Sequence, residues 1–534
     1  MTIQLEPQTE TVKLNKMERI KKEKNPFEVW ADIENYAVTG FDSILSDDFD
    51  RFKWYGLYTQ RPQQDGYFML RVKIPNGDLN SHQLKVIAGL STKYGRGLAD
   101  ITDRQNIQLH WLRIENLPPI EQALTEVGLS LKGACGDTVR NIIGSPLAGY
   151  EAGELIDTWP IVEAANEALV GKAEFSDLPR KFKISISGSA DHWVQHEIND
   201  IGFVGMRLEA TGEVGFDLWV GGGLGAQPHF GCRLGAFIRP DEVIGVSYQI
   251  TTIFRDFGYR RNRQHARLKY LLADWGAAKF REVLEERLGY KLTDNLDFVP
   301  LTNPYHDYVG ATPQKQAGMF ALGLATLRGR VSAEQLHQVA ELSEVYGDGR
   351  IRATTLQNIV ILNVPAANVE RLKAEARAID LPADEHNYFR RGAMACTGIQ
   401  FCKVAVAETK DRMAEVVEYL QAQFPDWNEP INLNMSGCPN SCTRYQIADI
   451  GLLGSLQRQD GSAKGEKEEV YQIYLGGRLG KDMRLGYHLN RRVPAEELKF
   501  YLATLLRRYL DARQPHERFV EFIYRHSQEE LENW

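Results

Sequence analysis

The chain repeats itself at a nearly constant distance, and this duplication limits its possible folds more than any other feature. When the sequence is shifted by 252 positions, residues 77–107 fall on 329–359 without a gap, and 13 of the 31 positions are identical. Two further blocks match at shifts of 249 and 255: 187–202 on 436–451, and 220–225 on 475–480. A repeat of about 200 residues is too long for a solenoid. We therefore expect two pseudo-symmetric halves that pack on each other.

Local patterns inside the repeat predict an α+β fold. Residues 67–74 and 107–114 alternate between apolar and polar side chains as strands do, and residues 81–95 show helical spacing. Residues 119–128 predict a helix that ends at a glycine. Later segments extend the pattern, with strands predicted at 181–187 and 215–222 and a helix at 279–290.

Composition excludes several classes of protein. The chain has 534 residues, six cysteines and a net charge of −8. Six cysteines in this length do not make a secreted disulfide scaffold, and they fit a reducing compartment such as the cytoplasm. No run of 18 apolar residues exists, so we expect no membrane span. The acidic balance does not favour nucleic acid as a partner. The first residues lack the apolar segment of a signal peptide and predict a solvated, partly disordered arm.

Four of the six cysteines fall in two short segments, spaced C-x5-C and C-x3-C. Zinc sites usually use closer pairs, whereas an iron–sulfur cluster also takes four thiolates and tolerates wider spacing. Pro439 suits a first helical position, which would place Cys438 and Cys442 on one face of a first turn with N–H groups toward the sulfurs. The alternatives are small buried core residues, or structural zinc in a non-redox, nucleic-acid-binding protein.

The two copies differ where chemistry is expected. Cys438 falls opposite Ser189 and Cys442 opposite Trp193, so the second half alone has thiols there. In the first half, Lys183 falls opposite Asn432 and Arg104 opposite Leu356. One half therefore carries features of a metal site and the other features of an anion site. This divergence makes sense if both halves face one shared site.

These motifs resemble the ferredoxin-dependent nitrite and sulfite reductases from about Phe52 to the 510s. The resemblance rests on residues 395–402 and 434–442, on "DRQN" and "LPRKFK", and on the duplication. It implies that ferredoxin supplies electrons for the six-electron reduction of sulfite to sulfide, or of nitrite to ammonia. It further implies two cofactors, siroheme and a 4Fe–4S cluster, with the cluster held by four thiolates: Cys396, Cys402, Cys438 and Cys442. Cys442 is also the implied axial ligand of the siroheme iron.

The resemblance also assigns the basic residues. Arg104, Arg140, Lys181 and Lys183 match the four basic residues that bind the anion and supply protons in the family. Lys269 is expected to approach the siroheme carboxylates. Enzymes of the family that prefer nitrite often have Asn at the position of Lys183, so the lysine favours sulfite, with nitrite as the alternative.

The resemblance implies pseudo-twofold halves, each with a ferredoxin-like half-domain and a cofactor domain, in a monomer. The predicted divisions are an N-terminal arm (1–50), a ferredoxin-like half-domain (51–130), a siroheme and substrate domain (131–292), a linker (293–316), a second ferredoxin-like half-domain (317–385) and a 4Fe–4S and siroheme domain (386–534).

Four further features have a less specific interpretation. The loop "VGGGLGAQ" contains a loose dinucleotide fingerprint, but its copy "LGGRLG" breaks it, which favours a shared turn. The basic run 259–270 predicts a solvated helix face. Cys232 is expected in the core. Cys135 is expected near the siroheme, as a bystander or covalently modified by a neighbour such as Tyr58.

An acidic ferredoxin needs a local basic surface for docking, despite the net charge. Arg478, Lys481 and Arg484 follow the second cysteine segment and are the candidates from the sequence.

Overall fold

The computed structural model describes residues 14–189, 194–296, 307–383, 388–458 and 465–534, and these ranges contain four β-sheets. The strands of the first half are β1 Leu57–Thr59, β2 Phe68–Val72, β3 Asp78–Asn80, β4 Leu98–Ile101, β5 Ile107–Leu112, β6 Ile143–Gly144, β7 Ile184–Ser187, β8 Ile201–Arg207, β9 Val214–Val220, β10 Cys232–Ile238 and β11 Thr293–Asp294. Its α-helices are α1 Lys16–Glu23, α2 Trp30–Thr39, α3 Asp48–Arg51, α4 Ser81–Tyr94, α5 Leu117–Glu126, α6 Trp159–Leu169, α7 Val243–Phe257 and α8 Leu268–Leu288.

The second half repeats this order. Its strands are β12 Gly310–Pro313, β13 Met319–Leu324, β14 Arg330–Ser332, β15 Arg350–Ala353, β16 Ile359–Pro365, β17 Ala393–Ala395, β18 Leu433–Ser436, β19 Ile450–Arg458, β20 Lys467–Leu475 and β21 Tyr487–Pro494. Its α-helices are α9 Ala333–Tyr346, α10 Val369–Ala378, α11 Tyr388–Arg391, α12 Lys410–Gln423, α13 Leu498–Ala512, α14 Phe519–Arg525 and α15 Gln528–Glu532.

The two halves exchange a strand. One sheet has the order β1-β2-β5-β4-β14 and its counterpart the order β12-β13-β16-β15-β3, so each half completes the other's sheet. Each exchanged strand forms an ion pair with its neighbour. The exchanged strand β14 supplies the cation, with Arg330 Nε 2.9 Å from Asp100 of β4, whereas the exchanged strand β3 supplies the anion, with Asp78 2.6 Å from Arg352 Nε of β15. Asp100 and Arg352 are buried, so removing the partner of either would leave a buried charge uncompensated at the junction of the halves.

Helices α4 and α9 confirm the repeat in detail, since their bounds differ by 252 residues at both ends. Each begins with a capping box, Asn80 with Gln83 in the first half and Ser332 with Gln335 in the second. The cap side chain accepts a hydrogen bond from the backbone N–H of the third helical residue. The side-chain oxygen of that glutamine accepts one from the backbone N–H of the cap residue. The equivalent turn chemistry explains why both helices begin at the same place.

The repeated Gln-Asn dipeptide is structural. Gln105 and Gln357 both adopt positive φ, +57° and +63°, in the turn before a strand. Gln105 Oε1 accepts from the N–H of Gly144 in β6, and Gln357 Oε1 accepts from the N–H of Ala395 in β17. These buried amides connect each ferredoxin-like half-domain to the sheet of the following domain.

The other two sheets carry the cofactor domains. In each, three strands run parallel (β6-β7-β8 and β17-β18-β19), and the remaining strands add antiparallel at one side. Apolar cores lie between these sheets and the helices α6–α8 in one half and α12–α15 in the other. The predicted α+β class and the duplicated architecture are confirmed.

Three sequence interpretations are wrong. The N-terminal arm is packed from residue 14 onward, with Met17 and Ile20 of α1 buried, and residues 1–13 lie outside the described residues. Cys232 is exposed at the start of β10 and does not lie in the core. The sequence context did not show which face of this strand is covered. The run 259–270 is not a solvated helix face, because the Arg263 guanidinium forms an ion pair with the Asp137 carboxylate at 2.6 Å.

Part of the predicted linker, 297–306, lies outside the described residues, and its end forms β12.

Candidate active site

The cysteine segments meet because they follow neighbouring parallel strands. β17 pairs with β18 in parallel register, so the loops after both strands leave the sheet at the same edge. Cys396 follows β17 directly, and its backbone N–H donates to Met435 O at 3.1 Å. The Gly437 N–H donates to Cys396 Sγ at 3.2 Å. A backbone donor aimed at sulfur stabilises the thiolate form that binds metal.

The predicted helical turn at Pro439 is wrong. Residues 437–443 form bends and turns, and Ser441 has φ +55°, which breaks a right-handed helix. The Ser436 hydroxyl accepts from the Thr443 N–H at 3.3 Å and closes the loop across the cysteines. The donors to sulfur therefore come from this loop, through residues such as Gly437.

The four thiols interact electrostatically. Desolvation by the surrounding protein raises the pKa of Cys442 to about 12 although the residue itself is exposed, and the Cys396 and Cys438 thiols add to the shift. Burial also raises the pKa of Cys438, with Cys402 contributing. Within the described ranges, no three potential ligands lie close enough together for a single ion. Four coupled thiols at wider spacing fit the larger cube of a 4Fe–4S cluster.

The first half contributes half-buried cations. Lys181 and Lys183 precede β7, and burial lowers the pKa of Lys181 well below its usual range, with Lys183 as the next cause. Burial and Arg104 lower the pKa of Lys183 to about 8. Burial likewise lowers the pKa of Arg104 to about 10, although the nearby Asp103 opposes the shift. Buried charges of one sign are expensive unless a group of opposite charge joins them.

Arg104 and Arg140 are held by backbone oxygens. Arg104 donates to Asn199 Oδ1 at 2.8 Å and to Asn141 O at 2.6 Å, and its Nε has no partner among the described residues. Arg140 Nε donates to Gly136 O at 2.9 Å. These guanidiniums are pre-oriented with donor capacity remaining. An anionic substrate and the carboxylates of siroheme both fit that capacity.

The cysteine loops and the cations form one site. Lys181 lowers the pKa of the Cys442 thiol, and Cys442 in turn raises that of Lys181, so the two side chains share one electrostatic environment. The structure thus places Cys442 of the second half within electrostatic range of Lys181 of the first half.

Sequence reasoning missed Arg71 in β2. The Cys135, Tyr58 and Cys442 side chains favour its charged form and raise its pKa, which places Arg71 beside the cysteine loop. When the amide of Gln108 is oriented to donate to Thr397, its oxygen accepts from Arg71 Nη2 at 2.7 Å. The only signal in the sequence was a single arginine inside the otherwise apolar strand FMLRV.

Cys135 lies against Tyr58, with its sulfur in contact with the phenolic oxygen. Burial alone would raise the pKa of Cys135, but Arg140 and Arg71 outweigh it and lower the pKa to about 6. Cys135 is therefore part of the cationic pocket, and its expected position near the siroheme stays a prediction.

Lys269 in α8 is buried and directed at the glycine loop. Its ammonium donates to Gly223 O at 3.2 Å, to Leu224 O at 3.3 Å and to Gln227 O. Lys269 thus fixes the loop "VGGGLGAQ", which serves as a turn in the fold. Contact between Lys269 and siroheme carboxylates stays a prediction.

The pseudo-twofold counterpart of this pocket is a cavity of about 90 Å³ without lysine. Leu356 lines it where the first half has Arg104, and Asn432 where the first half has Lys183. Asn432 N–H donates to Asp449 at 2.7 Å, as Lys183 N–H donates to Asp200 at 2.8 Å. The scaffold is thus duplicated, whereas these two cationic side chains are present in one copy.

Comparisons with known proteins agree with this site. The family described as nitrite and sulphite reductase 4Fe-4S domain matches residues 135–292 and 389–534, and the nitrite/sulfite reductase ferredoxin-like half domain matches 60–127 and 312–379. A sulfite reductase [ferredoxin] of Mycobacterium tuberculosis H37Rv is 44% identical over 97% of this chain and 96% of its own length. A ferredoxin–nitrite reductase of Synechococcus elongatus is 38% identical over 93% of this chain and 96% of its own length.

A solved structure of the Mycobacterium tuberculosis NirA protein superimposes with a TM-score of 0.92 at 42% identity, covering 97% of both chains. The chain therefore belongs to the nitrite and sulphite reductase family. It is an oxidoreductase of the siroheme and 4Fe–4S class.

Proposed function

We propose that this chain reduces sulfite to sulfide with six electrons from ferredoxin. The observation that carries the substrate assignment is Lys183, a half-buried cation whose charge interacts with that of Arg104, in the pocket that Lys181 also lines. Sulfite is largely doubly charged near neutral pH and nitrite singly charged, so an additional ammonium in a desolvated pocket favours sulfite. The similarity to a protein named sulfite reductase [ferredoxin] supports the same choice.

Cys396, Cys402, Cys438 and Cys442 would hold the 4Fe–4S cluster, and Cys442 would also ligate the siroheme iron. These two cofactors, when bound, store electrons and pass them to the substrate. The remaining chemistry belongs to side chains of this chain.

Arg71, Arg104 and Arg140 would bind anionic oxygens, since guanidiniums stay charged and donate in a fixed fork. Lys183, with its pKa of about 8, is protonated near neutral pH and can donate a proton to a departing oxygen. Lys181 lies beside it and Cys442, where the reduced anion must form. Partial burial of these cations lowers the local dielectric constant and strengthens each charge interaction.

Nitrite reduction to ammonia is the alternative, favoured by the similarity to the Synechococcus elongatus ferredoxin–nitrite reductase. The test is the ratio of kcat/KM for sulfite and nitrite, measured anaerobically with the purified holoenzyme. A clear preference for sulfite supports the proposal. A preference for nitrite replaces it with the alternative while leaving the class of enzyme intact.

Ferredoxin is the proposed physiological donor, and we propose that the enzyme works as a monomer in the cytoplasm. Retention of four thiols as metal ligands is the basis for the compartment, since a reducing environment protects them. Across the residues that the structure describes, no helix is both long and apolar enough to span a membrane.

A further inference from the structure

A buried lysine lies beside the first cysteine segment. Lys410 is the first residue of α12, its side chain is 1% exposed, and its ammonium donates to Arg328 O. The residue before it, Thr409, donates from its hydroxyl to Cys396 O at 2.6 Å. Burial lowers the pKa of Lys410 to about 8, whereas Asp100 and the Cys396 thiol oppose the shift. The Lys410 charge is therefore buried and lies within electrostatic range of a proposed cluster ligand.

The carboxylate that faces Lys410 is already paired with another cation. Asp100 in β4 lies 3.9 Å from Lys410 Nζ but accepts from Arg330 Nε at 2.9 Å. His110 Nε2 lies 3.1 Å from Asp100, and burial lowers the pKa of this histidine, so its ring is neutral near pH 7. Asp411, which also approaches Arg330, is 59% exposed, so solvent screens its charge. Two cations thus face one buried carboxylate, and one positive charge is left over.

The pseudo-twofold equivalent of this group has a different composition. Arg352 stands at the position that corresponds to Asp100. The equivalent helix α6 begins with Trp159, and the guanidinium carbon of Arg352 lies 4.9 Å from the centre of the Trp159 ring. The duplicated fold therefore does not itself require a buried lysine at the start of this helix. Lys410 and Asp100 accompany the cysteine segments.

We propose that Lys410, held in place by Arg328 O and Asp100, raises the reduction potential of the 4Fe–4S centre. This inference rests on the proposed function only in taking Cys396 and its three partners as the cluster ligands, and the choice between sulfite and nitrite does not enter. A centre with four thiolates is anionic, and its potential depends on the net charge around it. When the donor loses one electron and the centre gains it, a buried ammonium stabilises the added negative charge. Lys410 holds its proton before and after, so no proton moves in this step.

The expected size of the effect follows from Coulomb's law. At an effective dielectric constant of about 20, a unit charge roughly 10 Å away changes an equilibrium constant by about tenfold. For a one-electron centre, a tenfold change corresponds to about 59 mV. A shift of this size changes how completely a donor of similar potential reduces the centre.

The test compares the reduction potentials of matched variants of the purified holoenzyme. A redox titration followed by EPR reports the reduced cluster directly, without substrate or ferredoxin. Lys410→Met removes the ammonium and keeps a side chain of similar length, Lys410→Arg keeps the charge, and Asp100→Asn removes the opposing carboxylate with little change in shape. Lys73→Met is the control, because Lys73 is also buried and its pKa is also lowered to about 8, by burial and by Lys132.

We expect Lys410→Met to lower the equilibrium constant for reduction of the cluster by about tenfold, and Lys410→Arg and Lys73→Met to leave it within about twofold of the wild type. Asp100→Asn should shift it the other way, toward easier reduction. Water that enters a loosened core would shift both variants in the same direction, so opposite signs identify charge as the cause. A shift in Lys410→Met no larger than that in Lys73→Met, or shifts of the same sign in Lys410→Met and Asp100→Asn, would overturn the proposal.

Cys396→Ser tests the ligand assignment separately. If this variant keeps the cluster EPR signal of the wild type at full intensity, the ligand assignment fails and the role of Lys410 fails with it. If the signal is lost while Lys410→Met leaves the potential unchanged, the role of Lys410 alone is refuted and the proposed function stands.

Discussion

Lys183→Asn should shift the enzyme from sulfite toward nitrite. The other half of the molecule shows that the strand accepts asparagine, because Asn432 occupies the equivalent position with the same backbone bond to an aspartate. The substitution removes one half-buried ammonium from a pocket that keeps Lys181 and Arg104. A charge-assisted contact is worth roughly 1–3 kcal/mol, which corresponds to a change of about 5- to 140-fold in the ratio of kcat/KM for sulfite over nitrite.

The assay measures sulfide and ammonia formed with dithionite-reduced methyl viologen, so that ferredoxin docking does not enter. Lys172→Asn, at an exposed lysine of the same domain, controls for loss of charge alone. The siroheme absorption spectrum of each variant confirms that the cofactors are loaded. A ratio that moves by less than about twofold, or equally in the control, refutes the assigned role of Lys183.

The pH profile of Lys183 follows from its lowered pKa. Because the ammonium form exists below about pH 8, kcat/KM for sulfite should fall as pH rises through that value, and the inflection should be absent in Lys183→Asn. Cys442→Ser should abolish activity and siroheme binding together, because in the proposed site one sulfur would serve both cofactors; a normal siroheme spectrum with turnover would contradict this. Asp137→Ala should destabilise the fold by roughly 1–3 kcal/mol in urea unfolding, since it removes the carboxylate paired with Arg263 and one of the three carboxylates around the buried Lys21. The pKa of Asp137 is lowered in the folded state, so its contribution is present above about pH 4 and lost below; the acid sensitivity of stability should therefore shrink in Asp137→Ala.

Sequence periodicity predicted the long elements but not how the halves join. Helices α4 and α9 were recognisable because each shows helical spacing after a capping residue. The exchanged strands β3 and β14 have only three residues each, which is too short for an alternating pattern to identify. Their pairing depends on tertiary contacts such as Arg330 with Asp100, which lie 230 residues apart in the chain.

The parts of the site that lie in a sequence motif could be predicted, whereas a site residue outside any motif could not. The cysteine segments and the lysines before β7 stand in distinctive local sequence. Arg71 has no such context, and its role is visible only when β2 places it beside Cys442. The sequence predicted a helix after Cys438 because proline is compatible with both a first helical turn and a loop. The positive φ of Ser441 depends on the closure of the loop and has no signal in the local sequence.

Only one copy of the repeat has cations at these two equivalent positions. Lys183 and Arg104 are half-buried, and their lowered pKa values show that desolvation disfavours their charged forms. Such charges are tolerable only where an anion shares the pocket, because removing an unpaired charge from water costs several kcal/mol. The first half has that compensation if siroheme carboxylates and the substrate bind there. The equivalent cavity has Asn432 and Leu356, which need no anion at those positions. The absence of these cations from the second copy is therefore expected if a single cofactor serves both halves.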